Sequence, residues 1–246
     1  PLAPLGLLLS RGADPNTPLN GTPPIHHAIW RGRSAAHIAA LLAAGADPAA
    51  TNADGLSAYR LALRYGRLDA AALLRPRSLE EPIAPEEEFV AACARADRAS
   101  AAALLRRDPD LVRRLSPDQL RVLPDCAAAG RADAVRIMVG LGWPIDVRGG
   151  DWNASALNLA VFQGDAELTA WLLAHGADWR VEHGYHDNVM GTLSFASTTE
   201  PVAGGDWLGC ARALVGAGVP LPPAAYRFSD EVADCFADAA QASEGG

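Results

Sequence analysis

The residues whose types could do chemistry form the run His183-Gly184-Tyr185-His186-Asp187, with His175 shortly before it. Two histidines and a carboxylate could ligate zinc, or one histidine could act as a general base. The run follows a pair of short helical patterns, where we expect an exposed turn. Exposed turns lack the enclosure that shifts pKa values at catalytic sites. We therefore expect a surface or binding loop, with a metal-dependent or small-molecule site around 183–206 as the alternative.

Other patterns typical of catalysis do not occur in the sequence. Ser155 and Ser194 lie outside a Gly-x-Ser-x-Gly elbow, and neither a Gly-x-Gly-x-x-Gly nor a Walker pattern is found. The acidic run Glu86–Glu88 is typical of the first turn of a helix, where carboxylates favour the positive end of the dipole. We expect no catalytic residue, no bound metal and no cofactor, and therefore no enzyme.

The composition indicates which class of partner and which cellular compartment to expect. The formal net charge is −8, and nucleic-acid affinity comes largely from neutralising phosphates, so we expect no nucleic-acid partner. No segment approaches the roughly 18 consecutive apolar residues of a membrane span. All 21 basic residues are arginine, which favours a GC-rich bacterial genome. The four cysteines have no paired spacing, so we expect reduced thiols in a cytoplasmic protein. We also expect the chain to be a monomer on its own.

One stretch, residues 151–179, has the features of a complete structural unit. Ser155 and Asp165 are residues that cap helix N-termini, because their side-chain oxygens accept hydrogen bonds from first-turn N–H groups. The apolar spacing after them predicts two helices, over 156–162 and 166–174, each followed by a glycine. Two helices this short cannot bury their faces alone, so the unit needs neighbours.

The sequence contains those neighbours as a repeat of about 33 residues. A glycine recurs after each first helix, and a small residue precedes it by four positions. The glycines are Gly32, Gly66, Gly130 and Gly164, and the small residues are Ala28, Ala62, Cys126 and Ala160. Gly-Ala-Asp triplets close three of the units, at 12–14, 45–47 and 176–178. This regularity predicts stacked pairs of helices joined by short hairpin loops.

The chain resembles ankyrin-repeat proteins, whose units open on Thr-Pro-Leu-His-x-Ala. That motif is matched loosely at 23–28, 57–62, 155–160 and 191–196, with the motif histidine only at His26. The resemblance implies an all-α solenoid of helix-turn-helix units with short hairpins. It covers about four-fifths of the chain, and its specificity comes from the register of the units.

The repeat pattern also predicts the organisation of the chain. We expect N-terminal repeats over 1–80, a degenerate repeat with a connection over 81–121, and further repeats with a capping helix over 122–246. Leu2–Leu9 is interpreted as the second helix of a truncated first unit, although it resembles the core of a signal peptide.

Six segments depart from the regular unit. We expect a hairpin with Gly21 at its turn, a loop at 76–85 and a polar connection at 108–121. An insertion at 197–206 separates two helices, and a final helix spans 229–240. The unit at 86–107 has Ala96 where a glycine is expected. We interpret that unit as a repeat stacked in the array, with a joint between two shorter arrays as the alternative.

In proteins that this chain resembles, partners bind the hairpin tips and first helices, which form a concave face. The resemblance therefore implies a non-enzymatic scaffold that binds another protein. The alternatives are that these side chains fold against the adjacent repeat, and that the chain is a structural segment of a larger polypeptide. The expected partner-binding residues are Trp30, Arg31, Arg64, Tyr65, Asp151, Trp152, Phe162, Gln163, Asp187 and Asn188.

Overall fold

The computed structural model describes residues 2–75, 83–199 and 201–244. Within them the regular secondary structure is helical apart from one short two-stranded sheet and isolated bridges, so the predicted all-α fold of helix-turn-helix units is confirmed. The chain divides into two compact units, Pro1–Leu115 and Ser116–Gly246. The sequence-based division at 80 and 121 stays a prediction. No helix of the described residues is long and apolar enough to cross a membrane.

The first unit is built from helices paired in sequence. First helices pack on first helices (α2 on α4, α4 on α6), and second helices do the same (α1 on α3, α3 on α5). This layering buries apolar side chains of every helix of the unit except the first, which has no buried residue. The helices are α1 (Leu2–Ser10), α2 (Pro24–Trp30), α3 (Ala35–Ala43), α4 (Ala58–Arg64), α5 (Leu68–Leu74), α6 (Pro85–Ala94), α7 (Arg98–Arg107) and α8 (Leu111–Arg114).

The second unit repeats the arrangement. Its first helices form the row α10, α12 and α14, and its second helices pack α13 on α15, with α16 against α15. Its elements are α9 (Pro117–Leu120), α10 (Val122–Ala128), α11 (Ala132–Gly140), β1 (Arg148–Gly149), β2 (Ala154–Ser155), α12 (Ala156–Gln163), α13 (Ala166–Ala174), α14 (Val189–Thr198), α15 (Trp207–Gly216) and α16 (Asp230–Glu244).

Local chemistry explains where the helices begin and end. The side chains of Ser155 and Asp165 accept hydrogen bonds from the N–H groups of Asn158 and Leu168, as predicted. Such caps stabilise a helix by about 1 kcal/mol. Gly164 ends α12 in the left-handed region, with φ of +68°. The backbone of the insertion passes so close to Gly164 that a Cβ there would collide with it.

The degenerate repeat keeps the same turn without its glycine. Ala96 lies between α6 and α7 with φ of +57°, a conformation that costs an L-residue roughly 1 kcal/mol. The fold imposes it because α6 and α7 pack together as the other pairs do. Since α6 also packs on α4, this pair is stacked on the preceding repeat within the first unit.

The hairpin loops join one pair to the next. Leu19 pairs with Thr22 around Asn20 and Gly21, both at positive φ, so the predicted turn at Gly21 is confirmed. In the second unit the hairpin has a short ladder, in which β1 and β2 are antiparallel.

Several predicted boundaries were wrong by a few residues. Helix α12 extends to Gln163, α14 takes in the first residues of the expected insertion, and α16 runs from Asp230 to Glu244. The polar connection at 108–121 contains two short helices, α8 and α9. Helix α9 forms because Ser116 and Gln119 make a reciprocal capping box. Most of the loop expected at 76–85 lies outside the described residues.

Small side chains let first helices approach one another. Ala62, Cys126 and Ala160 are buried, at 0–1% exposure. All four cysteines are free thiols, as predicted, and three of them are buried. Burial raises the pKa of the Cys126 thiol to about 12, so it remains protonated and serves as a small apolar side chain.

Candidate functional site

A pocket of about 580 Å³ opens in the second unit between two consecutive repeats. One side comes from the hairpin tip before β2 and from the end of α12. The other side comes from the 183–187 turn and the start of α14. Its lining residues are Trp152, Phe162, His183, Tyr185, Asp187, Gly191, Thr192 and Phe195.

Aromatic rings form most of the lining. The Trp152 ring lies 5.6 Å from the Phe162 ring and 4.9 Å from the His183 ring, the latter edge-on. The His183 ring in turn lies 5.9 Å from that of Tyr185. Tyr185 is 78% exposed and Phe195 47% exposed, although both are large and apolar. The pocket is therefore apolar and open to solvent.

Backbone hydrogen bonds hold the two sides in place. The Gly184 N–H donates to the Trp152 carbonyl at 2.7 Å, which ties the tip of one repeat to the turn of the next. A Cβ on Gly184 would lie 2.8 Å from that carbonyl oxygen, so only glycine fits. Within the turn, the His183 N–H donates to the Asp187 carbonyl at 2.9 Å. These bonds hold together the two backbone segments that carry Trp152 and His183, whose rings meet edge-on.

Asp187 places a carboxylate in this aromatic lining. Its Oδ1 accepts hydrogen bonds from the Tyr226 hydroxyl and the Asn188 N–H, each at 2.7 Å. Its Oδ2 lies against Gly191, where a Cβ would collide with it. Within the described residues Oδ2 accepts no hydrogen bond. The bond to Asp187 raises the pKa of Tyr226 to about 12, so this hydroxyl stays a donor.

His183 is the buried histidine of the pocket. Burial lowers its pKa, against the opposing effect of the nearby Asp187 charge, so the ring is neutral at pH 7. Its Nδ1 accepts a hydrogen bond from the Tyr185 N–H at 3.2 Å, which places the ring proton on Nε2. A neutral His183 leaves the charge of Asp187 uncompensated.

The other two histidines of the sequence-based metal hypothesis do not line the pocket. The His175 ring stacks on Trp171 at 3.7 Å and bonds the Trp171 carbonyl. His186 is exposed in the turn, at φ of +60°. Across 2–75, 83–199 and 201–244, no group of three His, Cys, Asp or Glu side chains has an arrangement that could hold a metal ion.

The geometry of the units matches a known repeat class. Each complete unit has a β-turn or hairpin and two helices that pack on the next unit, at a spacing of about 33 residues. This agrees with the fold that the resemblance to ankyrin repeats implies.

Comparisons with known proteins give the following similarities. No protein-family model matches this chain, and no curated protein sequence matches it. Among solved structures, the ankyrin repeat domain of Bcl-3, described as a unique member of the IkappaB family, is 17% identical with a TM-score of 0.36. That match covers 78% of this chain and 86% of the domain. The human ASB11 ankyrin repeat domain is 21% identical with a TM-score of 0.39, covering 91% and 95%.

Three of the ten predicted binding residues meet in the pocket. These are Trp152 and Phe162 from one repeat and Asp187 from the next. Asp151 is exposed beside Trp152. Asn188 caps α14 by accepting from the Met190 N–H, so its side chain helps to begin the helix.

The remaining predicted residues lie at the C-terminal ends of first helices. Gln163 donates to the Ala128 carbonyl at 2.7 Å, a contact between neighbouring repeats. In the first unit, Trp30 is half-buried, and the guanidinium carbon of the exposed Arg31 lies 5.5 Å from the centre of its ring. Arg64 is buried against Glu87, and Tyr65 packs against the apolar core of that unit.

Sequence reasoning missed Phe195 as a site residue. It occupies the variable position of the 191–196 motif, between Ser194 and the buried Ala196. A large aromatic at a position that the motif leaves variable was the available signal. Gly191 was not predictable in this way, because its role depends on where the Asp187 carboxylate lies.

Proposed function

We propose that this chain binds another protein through the surface made by its hairpin tips and first helices, and that it does so without catalysis. The supporting observation is the pocket, where large aromatic side chains remain exposed. Tyr185 at 78% exposure and Phe195 at 47% flank the half-buried Trp152. Aromatic residues and arginine dominate the energies of protein interfaces. Contiguous exposed apolar surface is typical of an interaction site.

The same surface is already ordered in the absence of a partner. The 183–187 turn is fixed by its internal hydrogen bond and by the bond from Gly184 to Trp152. Binding to an ordered surface loses less conformational entropy than binding to a loop that must first be ordered. Rigid presentation of side chains by stacked repeats is thus the mechanism that we propose.

Charge favours a protein partner over nucleic acid. The segment Ser116–Gly246 contains 17 acidic residues and seven arginines. Because this segment is strongly acidic, its surface repels the phosphates of nucleic acid and attracts a basic protein. The setting that we propose is the cytoplasm of a bacterium, with the chain acting as a monomer.

Quantitative affinity capture from extracts of the source cell tests this proposal. Proteins retained by the wild-type chain are identified, and their affinity for Trp152→Ala and Tyr185→Ala is measured. We expect each variant to lose about 1 kcal/mol or more of binding free energy. The control is Leu73→Ala, which removes a 46%-exposed apolar side chain from the second helix α5. Equal binding by all four chains would contradict the proposal.

A small-molecule site is the second candidate function, because the pocket volume of about 580 Å³ falls in the range of ligand sites. Its position overlaps the 183–206 segment of the sequence-based alternative. Retention of no protein by the wild-type chain, together with saturable binding of a small molecule that depends on Trp152, would favour this candidate.

A further inference from the structure

The side chains that line the pocket indicate which chemical group of a partner protein the pocket would bind. We propose that it binds the cationic side chain of an arginine or lysine presented by the partner, between the aromatic rings and the Asp187 carboxylate. This inference rests on the proposed function, since it names the group that the binding surface would recognise. It assigns separate roles to the rings, the carboxylate and the buried histidine.

The rings supply the first part of the argument. A cation within about 6 Å of an aromatic ring centre is attracted by the negative face of the ring. Trp152, Phe162, Tyr185 and Phe195 all line one pocket, and the first two have ring centres 5.6 Å apart. A cation held there would contact more than one ring, while its aliphatic stem would cover the apolar surface.

The carboxylate supplies the second part. Asp187 has one oxygen held by two donors, Tyr226 and the backbone of Asn188. Its Oδ2 accepts no hydrogen bond from the described part of the chain, and it lies where Gly191 leaves room. A guanidinium or ammonium group donates several N–H bonds, so it would satisfy the oxygen that the fold leaves available.

The balance of charge in the pocket agrees with this assignment. Asp187 is the one acidic side chain among the eight lining residues, and none of the eight is arginine or lysine. His183 is neutral at pH 7 because burial lowers its pKa. The surrounding segment carries ten more acidic residues than arginines. An anion would be repelled here, and a neutral apolar group would leave the carboxylate oxygen without a partner.

The test follows the indole N–H resonance of Trp152 in two-dimensional NMR spectra of the full chain. The resonance is assigned from a Trp152→Phe sample. Probes are the Nα-acetyl methylamides of arginine and lysine, with those of citrulline and norleucine as uncharged counterparts of similar size. We expect the charged probes to shift the resonance saturably in the millimolar range and to bind about fivefold more tightly than the uncharged ones.

Variants separate the two attractions. Asp187→Asn keeps an oxygen for Tyr226 but removes the charge, so it should reduce the preference for arginine over citrulline to the part that the rings supply. Tyr185→Leu, at a largely exposed position, should weaken the charged probes about twofold or more by removing one ring. Asp238→Asn is the matched control, because it removes an exposed carboxylate of α16 in the same unit but outside the lining, and it should bind like the wild type.

Three outcomes would overturn the inference: equal affinity for charged and uncharged probes, wild-type behaviour of Asp187→Asn, or no shift with any probe at solubility. Tighter binding of choline than of either amino-acid probe would overturn the assignment to a partner side chain. If the probes fail while partner capture still depends on Trp152, only this inference falls. If partner capture is unaffected by the surface variants, the proposed function falls, whatever the titration shows.

Discussion

His26 and Asn158 occupy equivalent positions of two repeats, and each donates a side-chain N–H to a backbone carbonyl in the following connection. The His26 Nε2 lies 3.0 Å from the Leu56 oxygen, and the Asn158 Nδ2 lies 3.1 Å from the Val181 oxygen. Because a carbonyl only accepts, His26 carries its ring proton on Nε2. An amide thus makes in one repeat the contact that an imidazole makes in another.

Acidification should destabilise the first unit through His26. Burial lowers the pKa of His26 below its ordinary value of 6.5, so the unfolded chain binds a proton before the folded chain does. The free energy of unfolding therefore falls as the pH drops below 6.5 and is recovered above it. Urea unfolding of the wild type and of His26→Gln, measured from about pH 7 to about pH 5, checks this. The wild type should lose more stability than the variant, whose amide can still donate to Leu56; parallel profiles would contradict the prediction.

Removing the Asn158 side chain should destabilise the second unit. Its amide links the Val181 carbonyl and the Thr192 hydroxyl, whose oxygen lies 2.9 Å from the Asn158 Oδ1. Asn158→Ala would leave buried polar groups without that partner, at a cost of about 1–3 kcal/mol. Chemical denaturation gives the difference, with Gln241→Ala on the exposed side of α16 as a control that should change little. A loss no larger than that of the control would exclude a structural role for the bonds.

Substitutions of Arg64 and Glu87, which form a buried ion pair, should have non-additive effects on the free energy of unfolding. The guanidinium donates to both carboxylate oxygens, and the two side chains are only 8% and 14% exposed. Glu87→Met alone leaves a buried charge without its main partner, which typically costs about 3 kcal/mol. The double variant Arg64→Met with Glu87→Met should be more stable than the single one, because the apolar pair needs no such partner.

A double-mutant cycle on the unfolding free energies measures this effect. The exposed pair Arg113 and Asp110 provides the comparison, since its removal should change stability little. Additive losses at Arg64 and Glu87 would show that the pair is screened by solvent.

Gly191 and Gly216 should respond in opposite ways to alanine, although both lie in helices. A Cβ on Gly191 would collide with the Asp187 carboxylate, so Gly191→Ala should cost about 1–3 kcal/mol. Apart from its own helix and chain neighbours, no described atom lies within 4 Å of a Cβ on Gly216, which is the last residue of α15, so Gly216→Ala should gain roughly 0.5 kcal/mol from helix propensity. Thermal unfolding of both variants checks the signs. Equal effects would mean that the Asp187 side chain moves aside freely.

Much of the fold was predictable because its signals are local. Ser155 and Asp165 cap helices by bonding N–H groups three residues away, and Gly164 ends a helix through its own backbone. Each works within one turn of chain, so residue type and spacing were enough. Ala96 shows the limit, since its left-handed backbone is imposed by packing of the helices around it.

The sequence by itself therefore determined the repeat, its helix pairs and its turns, because those features depend on neighbours a few positions away. Only the tertiary structure decided that Trp152, Phe162 and Asp187 share a pocket while Arg64 is buried against Glu87. The physical reason is that these contacts join different repeats. Their geometry depends on the distances and angles at which the stacked helices pack. A local pattern of residues does not determine those distances and angles.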